Sequence, residues 1–281
     1  MAVENGMPEE AKAESVKVIN KTIVLPEKKP EKPTCPLNTF DLPYITFYYN
    51  QKLMLYKGGE FGENVGRLKE GLGKVLEYFY PLAGKLRQDE ERVLVVDCET
   101  PAGAEVVEAA AEGVAVADLA EGEATGLLQE LVPYTGVMNL EGLQRPLLAV
   151  QFTKLKDGLA IGCSFNHAIL DGNSTWHFMF SWAELCRGAP SIAKPKMFYY
   201  SDAGFNCVAV GSSPRFKVYD VDFGFGRPER VRSGSNNKFD GMMYLYPGRE
   251  GGRSIDVELT LQKEAMHNLE KDGEFLMVNA A

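Results

Sequence analysis

Residues 146–172 read PLLAVQFTKLKDGLAIGCSFNHAILDG, and the fold follows from this stretch. Two apolar runs, 146–155 and 158–165, flank Lys156-Asp157-Gly158. An Asp-Gly step favours a tight turn, so the runs predict a β-hairpin. In the second run Leu159, Ile161, Cys163 and Phe165 alternate with smaller residues, which buries one face. The alternation stops at Asn166. His167 therefore leaves the end of a buried strand, and Asp171 follows just before Gly172. Residues 173–188 then predict a helix capped by Asn173 or Ser174, with Trp176, Met179, Phe180 and Ala183 as its apolar stripe and Gly188 and Pro190 at its end.

Upstream, Val65, Leu68, Leu72, Val75, Leu76 and Phe79 recur at three- and four-residue steps, a helix that Pro81 stops. The segments 16–25, 38–56 and 92–98 read as strands, 26–36 as an extended connector and 1–15 as disordered. The Ala/Glu/Gly-rich stretch 101–126 reads as short elements with solvated faces. Downstream, 191–206 carries little pattern and 207–226 predicts a strand and a glycine-rich turn. Residues 227–237 read as a polar loop, 242–259 as a hairpin and 261–271 as a helix. Strands and helices alternate, so the class is α/β.

The chain has 281 residues, 45% hydrophobic and 25% charged, long enough for one large domain or two modest ones. Its formal charge of -9 comes without a basic stripe and argues against a nucleic-acid partner. The sequence has no run of eighteen apolar residues, and its polar, acidic first fifteen residues lack the apolar stretch of a secretory signal, so no leader is expected. Five cysteines, Cys35, Cys98, Cys163, Cys186 and Cys207, are far apart and odd in number, which suits reduced thiols and a cytoplasmic setting.

Chemistry concentrates at 165–172. A strand end holds a side chain rigidly while leaving it open to a cleft, and an imidazole titrates near neutrality, so His167 suits a general base. Asp171 could fix the turn through backbone or arginine contacts, or orient the ring; the spacing favours neither. Gly172 would permit the left-handed backbone that such turns often need. Four other groups are weaker. His177 with His167 and Asp171 lacks ordinary metal-ligand spacing, so no metal is expected. Cys163 reads as a core residue, and Asp222, with glycines beside it, as a turn-former. Arg227, Arg230, Arg232 and Lys238 form a basic loop that either meets phosphates or is merely solvated.

The run HAILDG, with YFYPLAGKL upstream and VDFGFG downstream, resembles the plant BAHD acyltransferases and is most similar to their cuticle-related members. Their two signatures, in order, match His167, Asp171 and Gly172, and then Asp222, Phe223, Gly224, Phe225 and Gly226. The resemblance implies a chloramphenicol-acetyltransferase-like mixed sheet flanked by helices. It also implies an acyl-CoA co-substrate and a small alcohol or amine acceptor. His167 would be the base, Asp171 would hold its turn, and the glycine-rich motif would support the fold. Phe225 stands where the family carries tryptophan. Asp171 and Asp222 lie only 51 positions apart, where the family carries most of a second domain. The expected organisation is therefore a nearly complete domain over 1–190 and a shortened one over 191–281, joined near 191–200. Loss of one wall should open His167 to water and expose apolar surface, turning a family-like monomer towards self-association. The rival expectation is a non-catalytic truncated relative that binds rather than reacts.

Overall fold

The computed structural model describes residues 16–37, 41–121, 125–193, 195, 216–236, 238, 242–249, 254–273 and 275. The predicted hairpin is its centre. Strand β7 (Leu148–Leu155) pairs antiparallel with β8 (Gly158–Phe165), from Leu148 opposite Phe165 to Lys154 opposite Leu159. On one side β6 (Ala104–Ala111) runs parallel to β7, and β1 (Lys17–Val24) pairs with β6 at the edge. On the other, β3 (Asn50–Lys57) pairs with β8, and β9 (Arg230–Ser233) pairs with β3. The mixed sheet thus runs β1-β6-β7-β8-β3-β9. A three-stranded sheet combines β2 (Thr34–Pro36), β5 (Leu94–Asp97) and β4 (Lys85–Gln88), and β10 (Met242–Pro247) pairs with β11 (Ile255–Thr260).

Both faces of β8 are covered, which goes beyond the one-sided alternation of its sequence. Helices α1 (Phe61–Tyr78) and α4 (Gly172–Cys186) lie over Leu159, Ile161, Cys163 and Phe165. Helix α2 (Val116–Glu121) and the residues after α3 (Thr125–Glu130) cover Ala160 together with Leu53 and Leu55. The small residues of β8 are what allow this second layer to approach. The two large helices are locked where Trp182 Nε1 donates to the Leu68 carbonyl at 3.0 Å. Each large apolar side chain so buried contributes roughly 1.5–3 kcal/mol.

Three expectations are corrected. The strand read over 38–56 begins only at Asn50; Leu42–Thr46 is a 3-10 turn, because Pro43 has no N–H for a ladder and starts a turn instead. Residues 38–40 lie outside the described residues, as do 1–15 and the predicted strand over 207–215. Within the expected polar loop, Arg230–Ser233 forms the edge strand β9, burying Val231 and Ser233 while Arg230 and Arg232 on its other side are half-buried. The Ala/Glu-rich stretch contributes the eight-residue β6, an interior strand. A short helix, α5 (Lys263–Leu269), follows β11. Val218, Val221, Phe223 and Val231 share one core with α1 and α4.

Candidate active site

Where β8 ends, Asn166 turns the chain. Its N–H donates to the Leu147 carbonyl at 2.9 Å, its Oδ1 accepts from Ala168 N–H at 3.2 Å, and its carbonyl accepts from Ile169 at 3.0 Å. A single buried side chain braces this turn from outside. Asn139 Oδ1 accepts the His167 main-chain N–H at 2.9 Å, and its carbonyl accepts from Asn166 Nδ2 at 2.8 Å. Its Nδ2 donates to the carbonyls of Tyr44 at 2.8 Å and Tyr48 at 3.3 Å. Three segments distant in sequence therefore meet at one amide.

The His167 imidazole stacks on the Tyr44 ring, with centroids 4.5 Å apart and planes 13° from parallel. Its Nδ1 is buried and makes no hydrogen bond within the structure. Burial holds the imidazole below its ordinary pKa. Lys52 adds to that effect, whereas the residue's own carbonyl and Asp171 oppose it. The open, water-bathed histidine expected from sequence is thus a largely desolvated one, with the Tyr44 ring on one of its faces. Lys52, on β3, is itself buried; its ammonium lies 5.6 Å from the Tyr244 ring centroid, and burial lowers its pKa to about 8 against the pull of Glu258.

Asp171 caps α4. Its Oδ1 accepts from Ser174 N–H at 2.7 Å, and its carbonyl accepts from Thr175 N–H and Oγ1 at 2.9 and 2.8 Å. The expected caps, Asn173 and Ser174, instead lie inside the first turn, because the chain enters the helix at Gly172. Of the two roles left open for Asp171, the hydrogen bonds are those of a backbone anchor. Gly172 starts the helix without the positive φ foreseen for it.

The second motif is a turn in the fold. Asp222 Oδ1 accepts from Gly224 and Gly226 N–H at 2.7 and 3.0 Å, and those glycines adopt φ of +96° and +108°, which a side chain would strain. Phe223 is wholly buried, edge-on to Trp182 at 4.8 Å; Phe225 packs on Tyr56 at 5.2 Å beneath the Arg67 guanidinium. Trp182 lies ten residues, about 15 Å, along α4 from its His167 end, so the two motifs are not brought together.

The basic loop is occupied by in-chain partners. Arg227 pairs with Asp220 at 3.2 Å, Arg230 with Asp256 at 3.0 Å and Lys238 with Glu258 at 3.8 Å, while Arg232 donates to the Ala120 carbonyl. Cys163 is fully buried and its thiol is pushed up by desolvation. His177 sits edge-on to Phe79 at 5.3 Å. Among the described residues no three His, Cys, Asp or Glu side chains group as metal ligands, and no helix is long and apolar enough to cross a membrane.

Sequence reasoning missed Asn139, Tyr44 and Lys52. The first carries no pattern at all. The second sits in an aromatic stretch, 38–56, that reads as core. The third interrupts the apolar run of β3, a lysine where a buried strand wants none, and that was the available signal. Leu42, Phe47, Tyr48, Met138 and Leu140, near Tyr44 and Asn139 in the chain, are exposed apolar side chains.

Comparison with known proteins gives a consistent picture. The family described as the Transferase family matches residues 14–202 and 196–276. The BAHD acyltransferase DCR of Arabidopsis thaliana is 36% identical over 447 aligned positions, covering 93% of this chain and 92% of that one. Since 447 exceeds 281 by 166, at least that many positions hold no residue of this chain. The hydroxycinnamoyl-CoA:5-hydroxyanthranilate N-hydroxycinnamoyltransferase HHT1 of Avena sativa is 33% identical over 196 residues, 64% of this chain and 42% of that one. The aligned part of this chain thus spans less than half the length of HHT1, while the gapped match to DCR runs nearly its whole length. In fold it is similar to vinorine synthase, with a TM-score of 0.70 at 16% identity over 94% of this chain and 98% of that one. The TRI101 protein of F. sporotrichioides, solved with coenzyme A and T-2, gives 0.64 at 14% identity over 87% and 98%.

Proposed function

The chain belongs to the Transferase family, the BAHD acyltransferases, and on that premise we propose that it moves an acyl group from acyl-CoA to a hydroxyl or amine of a small acceptor, with His167 as general base. The observation that carries this reading is the imidazole itself. It stands at a strand end, fixed through its own backbone by Asn139, and burial favours its neutral, proton-accepting form.

In the reaction, neutral His167 takes the acceptor proton as the oxygen or nitrogen attacks the thioester carbonyl. The tetrahedral oxyanion collapses, the carbon–sulfur bond breaks, and the coenzyme A thiolate recovers that proton from the imidazolium. No acyl-enzyme forms. Asp171 contributes by anchoring the turn to α4, and Asp222 through Gly226 by shaping the loop beside α1. Arg227 and Arg230, already paired to carboxylates, would have to exchange partners to meet coenzyme A phosphates.

The finer reading is a donor of the hydroxycinnamoyl or hydroxy-fatty class, in cutin or phenolic ester formation in the cytoplasm. Support comes from the hydroxycinnamoyl-CoA for which HHT1 is named and from the likeness to DCR. The domain organisation proposed is 1–190 followed by a shortened 191–281. Two family matches that meet at 196–202 support a junction there.

The test is thioester consumption by the purified chain across a panel of acyl-CoA donors with alcohol and amine acceptors. His167→Ala should lower turnover roughly 10²–10⁴-fold. The unmatched 166 positions favour one rival, a relative that binds without reacting. Acyl-CoA binding with no turnover in either protein would establish it.

A further inference from the structure

We infer that Tyr44 is a positioning residue for His167, a ring fixed from behind by Asn139 that shields one face of the imidazole from water and sets its plane. The inference rests on the proposed transferase reading only where turnover is concerned.

The geometry divides the labour. Asn139 Nδ2 holds the Tyr44 carbonyl while its Oδ1 holds the His167 N–H, so one buried amide fixes the backbone beneath both rings. Above that shared footing the two rings stack, at 4.5 Å and 13°. Tyr44 is 40% exposed, so its ring contributes little to any core. A half-exposed aromatic near other exposed apolar side chains is costly unless it covers something, and what it covers is the imidazole.

Two consequences of the stack oppose each other. An aromatic face attracts a cation, which would favour the imidazolium. The same ring excludes water from it, which favours the neutral form. The charged groups facing His167 from the packed elements are Lys52 of β3, which disfavours protonation, and Asp171 at the start of α4, which favours it. The balance falls on the neutral side, with burial the largest cause. Removing the ring should therefore raise the imidazole's titration midpoint.

The chain has three histidines, so nitrogen NMR of the imidazoles can follow His167 directly, with His167→Gln assigning its signal. Wild type and Tyr44→Phe should share a midpoint below that of ordinary histidine. In Tyr44→Ala the midpoint should rise, with the thermal unfolding temperature nearly unchanged. The acid limb of kcat/KM should move up with it, and kcat should fall roughly 10–100-fold through misplacement of the ring. A Tyr44→Ala midpoint that stays or falls overturns the inference. A midpoint that rises in a chain with no thioester turnover refutes the transferase reading and leaves the positioning role standing.

Discussion

Asn139 Oδ1 accepts the main-chain N–H of His167 at 2.9 Å across 28 residues of sequence, and it does so from a wholly buried position. An imidazole is usually held by a partner on its ring. Here the ring's Nδ1 has no partner, and the restraint acts on the backbone instead. This makes the backbone position of His167 a property of the turn, shared between Asn166, Asn139 and the cap at Asp171, and leaves the ring plane to the Tyr44 stack.

Replacing Asn139 by Ala should accordingly be severe. It strips partners from the His167 N–H and the carbonyls of Tyr44 and Tyr48 at a part-buried site. Leaving buried donors and acceptors unmet costs about 1–3 kcal/mol each, and urea denaturation should show a loss of that order. Asn139→Asp keeps an acceptor for His167 but loses the donor to Tyr44, and should fall between wild type and Asn139→Ala. Equal midpoints for wild type and Asn139→Ala would remove the bracing role.

Asp171 offers a cleaner separation of roles. If its work is to accept the Ser174 N–H, Asn can replace it, since Asn and Asp cap helices about equally. Asp171→Asn should keep the fold and most of the turnover. Asp171→Ala should lose about 1 kcal/mol of stability. Turnover as low in Asp171→Asn as in His167→Ala would mean instead that the carboxylate charge acts on the ring.

The contrast between these residues shows what a sequence carries. The β7–β8 hairpin was legible because Asp157-Gly158 and the alternation from Leu159 to Phe165 agree, and α1 because its apolar residues repeat with helical period. Strand β9 was not. Its buried positions are Val231 and Ser233, and flanking arginines disguise a two-residue alternation too short to stand out. The cap of α4 was misplaced by two or three residues because Asp171, Asn173 and Ser174 are all good caps and only the entry of the chain decides among them. His167 and Asp171 were found through their motif. Asn139 acts through side chain-to-backbone bonds, which leave no period in a sequence, and Tyr44 reaches its partner only through tertiary packing.

Acid should act on both activity and stability through His167. Its folded pKa lies below the ordinary value, so over the interval between them the unfolded chain binds more protons than the folded one. The contribution of His167 to stability is therefore whole above the ordinary histidine range. It is lost progressively as pH falls through that range towards the folded value. Activity, which needs the neutral ring, should persist to lower pH than a solvated histidine would allow. Urea midpoints from pH 7 to pH 5 should fall less steeply in His167→Gln than in wild type. Identical slopes would show that the imidazole is not depressed.

The hairpin of β10 and β11 should govern self-association. Leu245 faces Val257 across the ladder and Pro247 faces Ile255, and Met243, Leu245, Ile255 and Val257 lie on an exposed face. Tyr244, Tyr246, Asp256 and Glu258 occupy the opposite face, which meets β9 through Ser233 and Arg230. Among the described residues only one side of this two-stranded sheet is therefore covered, and relatives such as DCR carry at least 166 further positions that this chain does not. A bare apolar sheet face buries itself against a copy when nothing else is supplied. Sedimentation velocity should show concentration-dependent association of the wild-type chain. The double variant Leu245→Lys, Val257→Glu should sediment as a monomer with an unchanged circular dichroism spectrum, because both residues point away from β9. Association that persists in this variant would move the contact to another surface, with the exposed Leu42, Phe47 and Tyr48 next to be altered.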